Sequence, residues 1–308
     1  MQTPRYAFFE GRIVPFAEAR ISVMTHGFMY GTACFEGIRG YWDEPAGALA
    51  FFRLRDHYAR LHRSCRILRL GLRYPVEELC ELTAELARKN GDRADVYLRP
   101  IVYKSALQIG PHLNGVADDF TMLMLPFGKY IEAEGGIRCR TVSWRRPSDG
   151  MIPARAKVNG LYVNSALAKT EALEDGYDEA IMLTADGAVA EGSTENLFLV
   201  SDGTLVTPPV SDSILVGITR DTVLTLARRE LGLPVVERRV DRTELYVADE
   251  CFFCGTGAEI SPIVEIDRRA VGPGKVGPVT RRVQALYLDV VHGRHPGYAD
   301  WRYPVGIP

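Results

Sequence analysis

Two Asp-Gly pairs, Asp186-Gly187 and Asp202-Gly203, each stand between short apolar runs. Asp-Gly takes the positive-φ backbone of a two-residue turn readily, so each pair marks an antiparallel hairpin. The runs concerned are Ala180 to Thr184 with Ala188 to Glu191, and Asn196 to Val200 with Thr204 to Thr207. Between these two hairpins lies a polar island, Glu191-Gly-Ser-Thr-Glu195-Asn196. Acids set so close to buried strands need partners, and a protonated pyridine nitrogen is one that would serve.

The rest of the chain alternates strand and helix patterns. Tyr6 to Glu10 and Arg12 to Pro15 read as a hairpin turning at Glu10-Gly11. Leu54, Tyr58, Leu61, Cys65 and Leu68 recur at spacings of four and three, the core stripe of a helix entered near Asp56. Arg60 sits at the edge of that stripe, where a guanidinium could reach an anion such as a phosphate. A second helix runs from about Val76 to Lys89 and ends at Gly91. In the strand Asp95 to Tyr103, Val96, Leu98 and Val102 share the core face, while Tyr97, Arg99, Ile101 and Tyr103 share the other. Tyr97 and Arg99 therefore project together, either into solvent or into a cavity where they would bind a carboxylate. Phe120 to Pro126 closes a first domain of residues 1–127, residues 128–136 form a connection, and residues 137–308 form a second domain. Within the latter, helices are expected from about Leu161 to Gly176, from Thr219 to Leu231 and from Val279 to Val291.

Composition narrows the function. A chain of 308 residues with 46% hydrophobic content buries a sizeable core and divides into two domains. Its 37 basic and 39 acidic residues are interspersed and leave a net charge of −2, without the basic excess of a nucleic-acid binder. No stretch reads as a signal peptide or a membrane span, and a cytoplasmic location is expected. The six cysteines are scattered as core thiols, and Cys251 and Cys254 lie on opposite faces of a strand, so no metal site is expected.

Lys157 is one of only six lysines, and it differs from the others. It follows the proline-broken loop Pro147 to Pro153 and stands among small and apolar neighbours just before a helix. A lysine desolvated in this way loses its proton and attacks an aldehyde. On this stretch alone, a solvated loop lysine is the more ordinary reading. Two further stretches bear on the choice. Met24 to Trp42 is rich in glycine and aromatics, suiting either a pocket wall with Tyr30 and Phe35 or a strand packed by rings. Gly217-Ile218-Thr219 at a helix start, and Gly255-Thr256-Gly257-Ala258 after a strand, offer converging amides to an anion.

Taken together, Tyr30-Gly-Thr-Ala-Cys-Phe-Glu-Gly-Ile-Arg, Arg60-Leu-His, Tyr97-Leu-Arg-Pro, Lys157 with Tyr162, Glu191-Gly-Ser-Thr-Glu-Asn-Leu-Phe, Gly217-Ile-Thr-Arg-Asp and Gly255-Thr-Gly-Ala-Glu-Ile resemble fold-type IV pyridoxal-phosphate transaminases. Among these they are most similar to branched-chain amino acid aminotransferases. The resemblance implies an α/β (α+β) fold of two domains, D-amino acid aminotransferase-like, with pyridoxal 5′-phosphate in the interdomain cleft. It implies transfer of the amino group of L-leucine, L-isoleucine or L-valine to 2-oxoglutarate, and a homodimer or higher homo-oligomer. Lys157 would be the catalytic residue, bonded to the cofactor and shuttling the proton. Glu191 and Glu195 would belong to the cofactor set, with Glu191 on the pyridine nitrogen and Tyr162 on the phenolic oxygen. Leu215 would pack on the ring, while Arg60, Gly217, Ile218, Thr219 and Thr256 would grip the phosphate. Tyr97 and the amides of Thr256 and Gly257 would take the α-carboxylate. Tyr30, Phe35 and Tyr130 would line the side-chain pocket, and Arg99 would receive the distal carboxylate of glutamate.

The chain departs from the family pattern in the loop Leu107 to Asp119 and in Phe127, where many relatives carry tryptophan. Transamination of (R)-amines or D-amino acids is therefore the alternative, with an aminodeoxychorismate lyase activity behind it.

Overall fold

The computed structural model describes residues 3–128 and 135–308, which divide into two compact units. The expectation for Tyr130 falls outside the described residues.

In the first unit the strand order is Arg302–Gly306, Ala48–Phe52, Ile38–Asp43, Val96–Lys104, Asp118–Pro126, Tyr6–Phe9 and Arg12–Pro15, all antiparallel. A further strand, Ala33–Phe35, pairs with Val96–Lys104 beyond the end of Ile38–Asp43. The alternation in Val96–Lys104 is realised, with Val96, Leu98 and Val102 fully buried and Tyr97 and Arg99 on the opposite face. Tyr103, expected on that opposite face, is buried as well.

The helices Leu54–Leu68 and Val76–Asn90 supply the apolar partners of this sheet. Leu54, Tyr58, Leu61, Leu79 and Leu86 enter one core with Phe8, Ile38, Leu49, Phe51 and Met122. Burial of such side chains contributes about 1.5–3 kcal/mol each. Over residues 24–42, read either as a pocket wall or as a strand packed by rings, the chain forms a short helix, His26–Tyr30, and then two strands.

In the second unit the strand order is Val189–Gly192, Glu179–Leu183, Ile137–Arg145, Glu259–Ile266, Glu250–Gly255, Asn196–Ser201, Thr204–Thr207 and Val235–Glu237. Ile137–Arg145 runs parallel to both of its neighbours, and Thr204–Thr207 runs parallel to Val235–Glu237. The Asp202-Gly203 hairpin closes with Ser201 opposite Thr204, and Val189 pairs with Leu183 across the other turn. Helices Tyr162–Glu174 and Ile218–Arg229, with Pro278–Val291 as far as Asp289, complete the unit.

The division between units departs from the expected 1–127 and 137–308. Ala156–Leu161 and Val290–Pro308 belong to the first unit. Arg302–Gly306 covers the open edge of Ala48–Phe52, a pairing across some 250 positions that a local pattern does not reveal.

Candidate active site

Residues 156–161 reach the first unit through backbone bonds. The Lys157 carbonyl accepts from Phe35 N at 3.0 Å, and Lys157 N donates to Ser64 Oγ at 3.2 Å. Gly160 N donates to the Gly31 carbonyl at 3.2 Å. Gly31 has φ +66°, and a Cβ there would stand 2.8 Å from Gly160 Cα, so a side chain would push the segment away.

These contacts aim Lys157 at a compact cluster. Its Nζ lies 5.1 Å from the centre of the Phe35 ring. Part of the residue remains accessible, but burial of the amine dominates its chemistry. Burial first, and then the Arg60 charge, lowers its pKa from the usual lysine range to about 8. The amine is therefore partly neutral near physiological pH, as a nucleophile toward an aldehyde requires.

Arg60 is buried on the inner side of its helix and is held by Glu36. Its Nε donates to Oε1 and its Nη2 to Oε2, each at 2.7 Å. His57, one turn earlier, lies with Nδ1 2.7 Å from Oε2. Burial lowers the His57 pKa, so the neutral ring donates its Nδ1–H to the carboxylate. For Glu36 itself, burial works against ionisation, but the charge and hydrogen bonds of Arg60, joined by His57, hold its pKa at about 2. Glu36 and His57 were not singled out from the sequence, although Glu36 sits inside the stretch that carries the resemblance.

Tyr97 and Arg99 stand beside this group. Arg99 Nη2 donates to the Tyr97 hydroxyl at 2.8 Å, and its guanidinium lies 4.3 Å from the Phe35 ring centre. Gly37 makes the room: a Cβ there would fall 2.1 Å from the Tyr97 hydroxyl. Phe127 packs against Tyr97 with ring centres 5.1 Å apart. The Tyr30 hydroxyl accepts from Gly110 N at 3.0 Å, so Tyr30 is tied to the loop that departs from the family pattern. His26 secures the same loop, with Nε2 2.9 Å from the Gly110 carbonyl and Nδ1 2.7 Å from Thr32 Oγ1. The first unit thus brings together Lys157, Arg60, Phe35, Tyr97 and Arg99.

In the second unit the buried Glu191 is the centre of its own group. Arg146 Nη2 contacts Oε1 at 2.8 Å, Asn196 Nδ2 donates to Oε2 at 2.9 Å, and Leu215 N lies 3.2 Å from Oε2. Asn196 Nδ2 also donates to the Leu215 carbonyl at 3.1 Å, which fixes the backbone of Leu215. Asn196 was read only as the end of the polar island, without a role, and Arg146 was not singled out, since it lies between Arg145 and Pro147 with nothing to distinguish it.

Gly217 is the extended cap of Ile218–Arg229, and Thr219 is buried in the first turn. The first amides of a helix have no acceptor within it, so this end attracts an anion. Thr256 and Gly257 lie in the turn between Glu250–Gly255 and Glu259–Ile266, and Tyr162 begins the helix that follows the lysine segment. Glu195 is placed differently from Glu191. Its oxygens accept from Thr194 N at 3.0 Å and from the Thr194 hydroxyl, within its own turn. Burial, and then the neighbouring Glu179 charge, raises its pKa to about 7. A carboxyl so engaged supports the turn that carries Glu191 and Asn196.

The family model for amino-transferase class IV matches residues 33–266. A probable branched-chain-amino-acid aminotransferase of Aquifex aeolicus is 49% identical over 300 residues, covering 97% of this chain and 96% of its own length. Among solved structures, a branched-chain aminotransferase of Thermoproteus uzoniensis with norvaline superposes with a TM-score of 0.94 at 44% identity, covering 98% of this chain and 99% of that one. A branched-chain amino acid aminotransferase of T.th., complexed with N-(5′-phosphopyridoxyl)-L-glutamate, gives 0.92 at 40% identity, with 98% and 99% covered.

Proposed function

Because the chain belongs to the class IV amino-transferases, we propose that it is a branched-chain amino acid aminotransferase, moving the amino group of L-leucine, L-isoleucine or L-valine to 2-oxoglutarate on pyridoxal 5′-phosphate. The observation that carries this reading is the Phe35 ring, flanked by the Lys157 amine and the Arg99 guanidinium. A pocket for this reaction must take an aliphatic side chain in one half-reaction and a second carboxylate in the other. An apolar ring beside a cation meets both demands. Norvaline and a glutamate adduct in the solved relatives support the same pair of demands.

The donor chemistry fits the cofactor. Lys157 offers an amine with its pKa lowered to about 8, Arg60 a guanidinium held in place, and Glu191 a carboxylate beside Arg146. When bound, pyridoxal 5′-phosphate supplies an aldehyde for that amine and a ring that draws electrons from the substrate Cα–H bond. Lys157 would bond to the aldehyde carbon and, once displaced there by the substrate amine, would move the proton at Cα. Glu191 would accept a hydrogen bond from the ring nitrogen and so keep it protonated, and Tyr162 would donate to the phenolic oxygen. Arg60, the amides of Ile218 and Thr219, the Thr219 hydroxyl and Thr256 would take the phosphate. Tyr97, with the amides of Thr256 and Gly257, takes the α-carboxylate, and Arg99 takes the distal carboxylate of glutamate. Tyr30 would complete the side-chain pocket with Phe35.

The test is a half-reaction on the purified yellow protein, mixed separately with L-leucine, D-alanine and (R)-1-phenylethylamine. Rapid loss of the visible band with L-leucine alone is the expected result. Loss mainly with D-alanine or the (R)-amine would overturn the substrate and leave the cofactor set standing.

The same reading makes the protein a cytoplasmic homodimer or larger homo-oligomer. The first unit exposes Val23, Met24, Phe28, Met29, Leu107 and Ile109, drawn together by the bridge between Thr25 and Leu107. Apolar surface gathered in this way suits a second copy of the chain. Phe28→Glu combined with Ile109→Asp shifts the mass measured by light scattering to that of a monomer.

A further inference from the structure

Glu36 is fully buried, carries three charge-assisted or polar contacts, and has no part in the reaction as set out above. We propose that Glu36 is a positioning residue for the cofactor phosphate: it fixes the plane and direction of the Arg60 guanidinium, and so sets the selectivity of this protein for phosphorylated over unphosphorylated pyridoxal.

The geometry supports this in three steps. Glu36 takes the Nε–Nη2 edge of Arg60 through both carboxylate oxygens, at 2.7 Å each. A two-point contact of this kind fixes a planar guanidinium where a single bond would let it swing, and it turns the Nη1 edge away from the carboxylate. Glu36 is in turn held from two sides, because Glu36 N donates to the Pro100 carbonyl at 2.9 Å and His57 Nδ1 reaches Oε2 at 2.7 Å. The support is thus rigid on the strand side and on the helix side. Finally, the pair is charge-balanced inside the unit. A lone buried guanidinium would be costly to hold ready, whereas a paired one waits in place for an anion.

A carboxylate near a phosphate also repels it, so the idea makes a signed claim: orientation outweighs repulsion. The inference rests on Arg60 receiving the phosphate, and the experiment separates the two. The full chain, freed of cofactor, is titrated with pyridoxal 5′-phosphate and with pyridoxal, and the ratio of the two affinities is the readout. Inorganic phosphate as a competitor gives the same information without the aldehyde. Glu36→Gln should lower the ratio about tenfold, almost entirely through the phosphorylated form, and weaken phosphate competition in parallel. Glu36→Asp keeps the charge but retracts it by one methylene, and should give a smaller fall in the same direction. Should Glu36→Gln fail to fold, Glu36→Asp decides by the same ratio. A ratio that is raised, or unchanged because both affinities move together, overturns the proposal and makes Glu36 a structural counter-ion only. Arg60→Lys is the reference. If it leaves the ratio unchanged, the phosphate reading of Arg60 falls and the inference falls with it. If it lowers the ratio while Glu36→Gln does not, only the inference falls.

Discussion

The Glu36–Arg60 pair of the first unit and the Arg146–Glu191 pair of the second are alike in composition and burial. Their side chains are 6% exposed or less, so both pairs follow the same desolvation rule. They differ in how the two partners are held by further bonds. In the first unit the carboxylate is supported, by His57 and through its backbone to Pro100. In the second both partners are anchored: Arg146 by Nε on the Ser213 carbonyl at 3.3 Å and its backbone N on the Leu183 carbonyl at 2.9 Å, and Glu191 by Asn196 Nδ2 and Leu215 N. An ion pair by itself therefore says little about function; the neutral bonds behind each partner show how firmly it is held.

The largest expected effect tests the group that, on the proposed function, both pairs would serve. Lys157→Ala folds but binds no cofactor covalently, and its turnover falls by more than about a thousandfold. Substantial residual transamination, followed by product formation from leucine, would overturn the proposed role of Lys157. In the unsubstituted protein freed of cofactor, capture of pyridoxal 5′-phosphate should accelerate as pH rises through about 8 and level off above it, since only the neutral amine attacks. A rate that is flat from pH 6 to 9 in stopped-flow absorbance contradicts the lowered lysine pKa.

Next in size is a test of the anchor within the second pair. Arg146→Met leaves Glu191 buried without its counter-ion and should cost about 3–5 kcal/mol in urea unfolding. Glu191→Gln keeps the shape and the acceptor for Asn196, so it should cost less stability than Arg146→Met and depress activity. If both variants lose stability equally and activity in proportion, Glu191 is a structural counter-ion only. The smallest effect sharpens the contrast at the substrate: Arg99→Ala should slow the glutamate half-reaction about a hundredfold and leave leucine within a few-fold. Equal losses would make Arg99 a packing partner of Phe35 and Tyr97 alone.

Local order was legible wherever one periodicity ruled a stretch. Of the stripe, Leu54, Tyr58, Leu61 and Cys65 are buried as read and Leu68 is partly buried, and the next helix buries Leu79, Cys80, Thr83, Leu86 and Ala87. The two Asp-Gly hairpins close where they were placed, although only Asp202 and Gly203 both take positive φ, while in the other turn Gly187 does and Thr184 bonds to Ala188 across three residues. Residues 26–30 were missed as a helix because five residues make barely more than one turn and leave no periodic signal.

What the sequence by itself determined is the set of residue types with chemistry to offer: a lysine among small apolar neighbours, two acids between strands, a tyrosine and an arginine on one strand face. Only the tertiary structure decided how they are held. Charge pairing depends on distance in space, so nothing in the chain order could match Glu36 with an arginine 24 positions on, or Glu191 with one 45 positions back. The fate of Glu195 was decided in the same way: it has the same side chain as Glu191, but its own turn supplies its hydrogen bonds. The return of Arg302–Gly306 to the first sheet was likewise beyond local pattern, since an open strand edge can be covered by any segment with the right length and register.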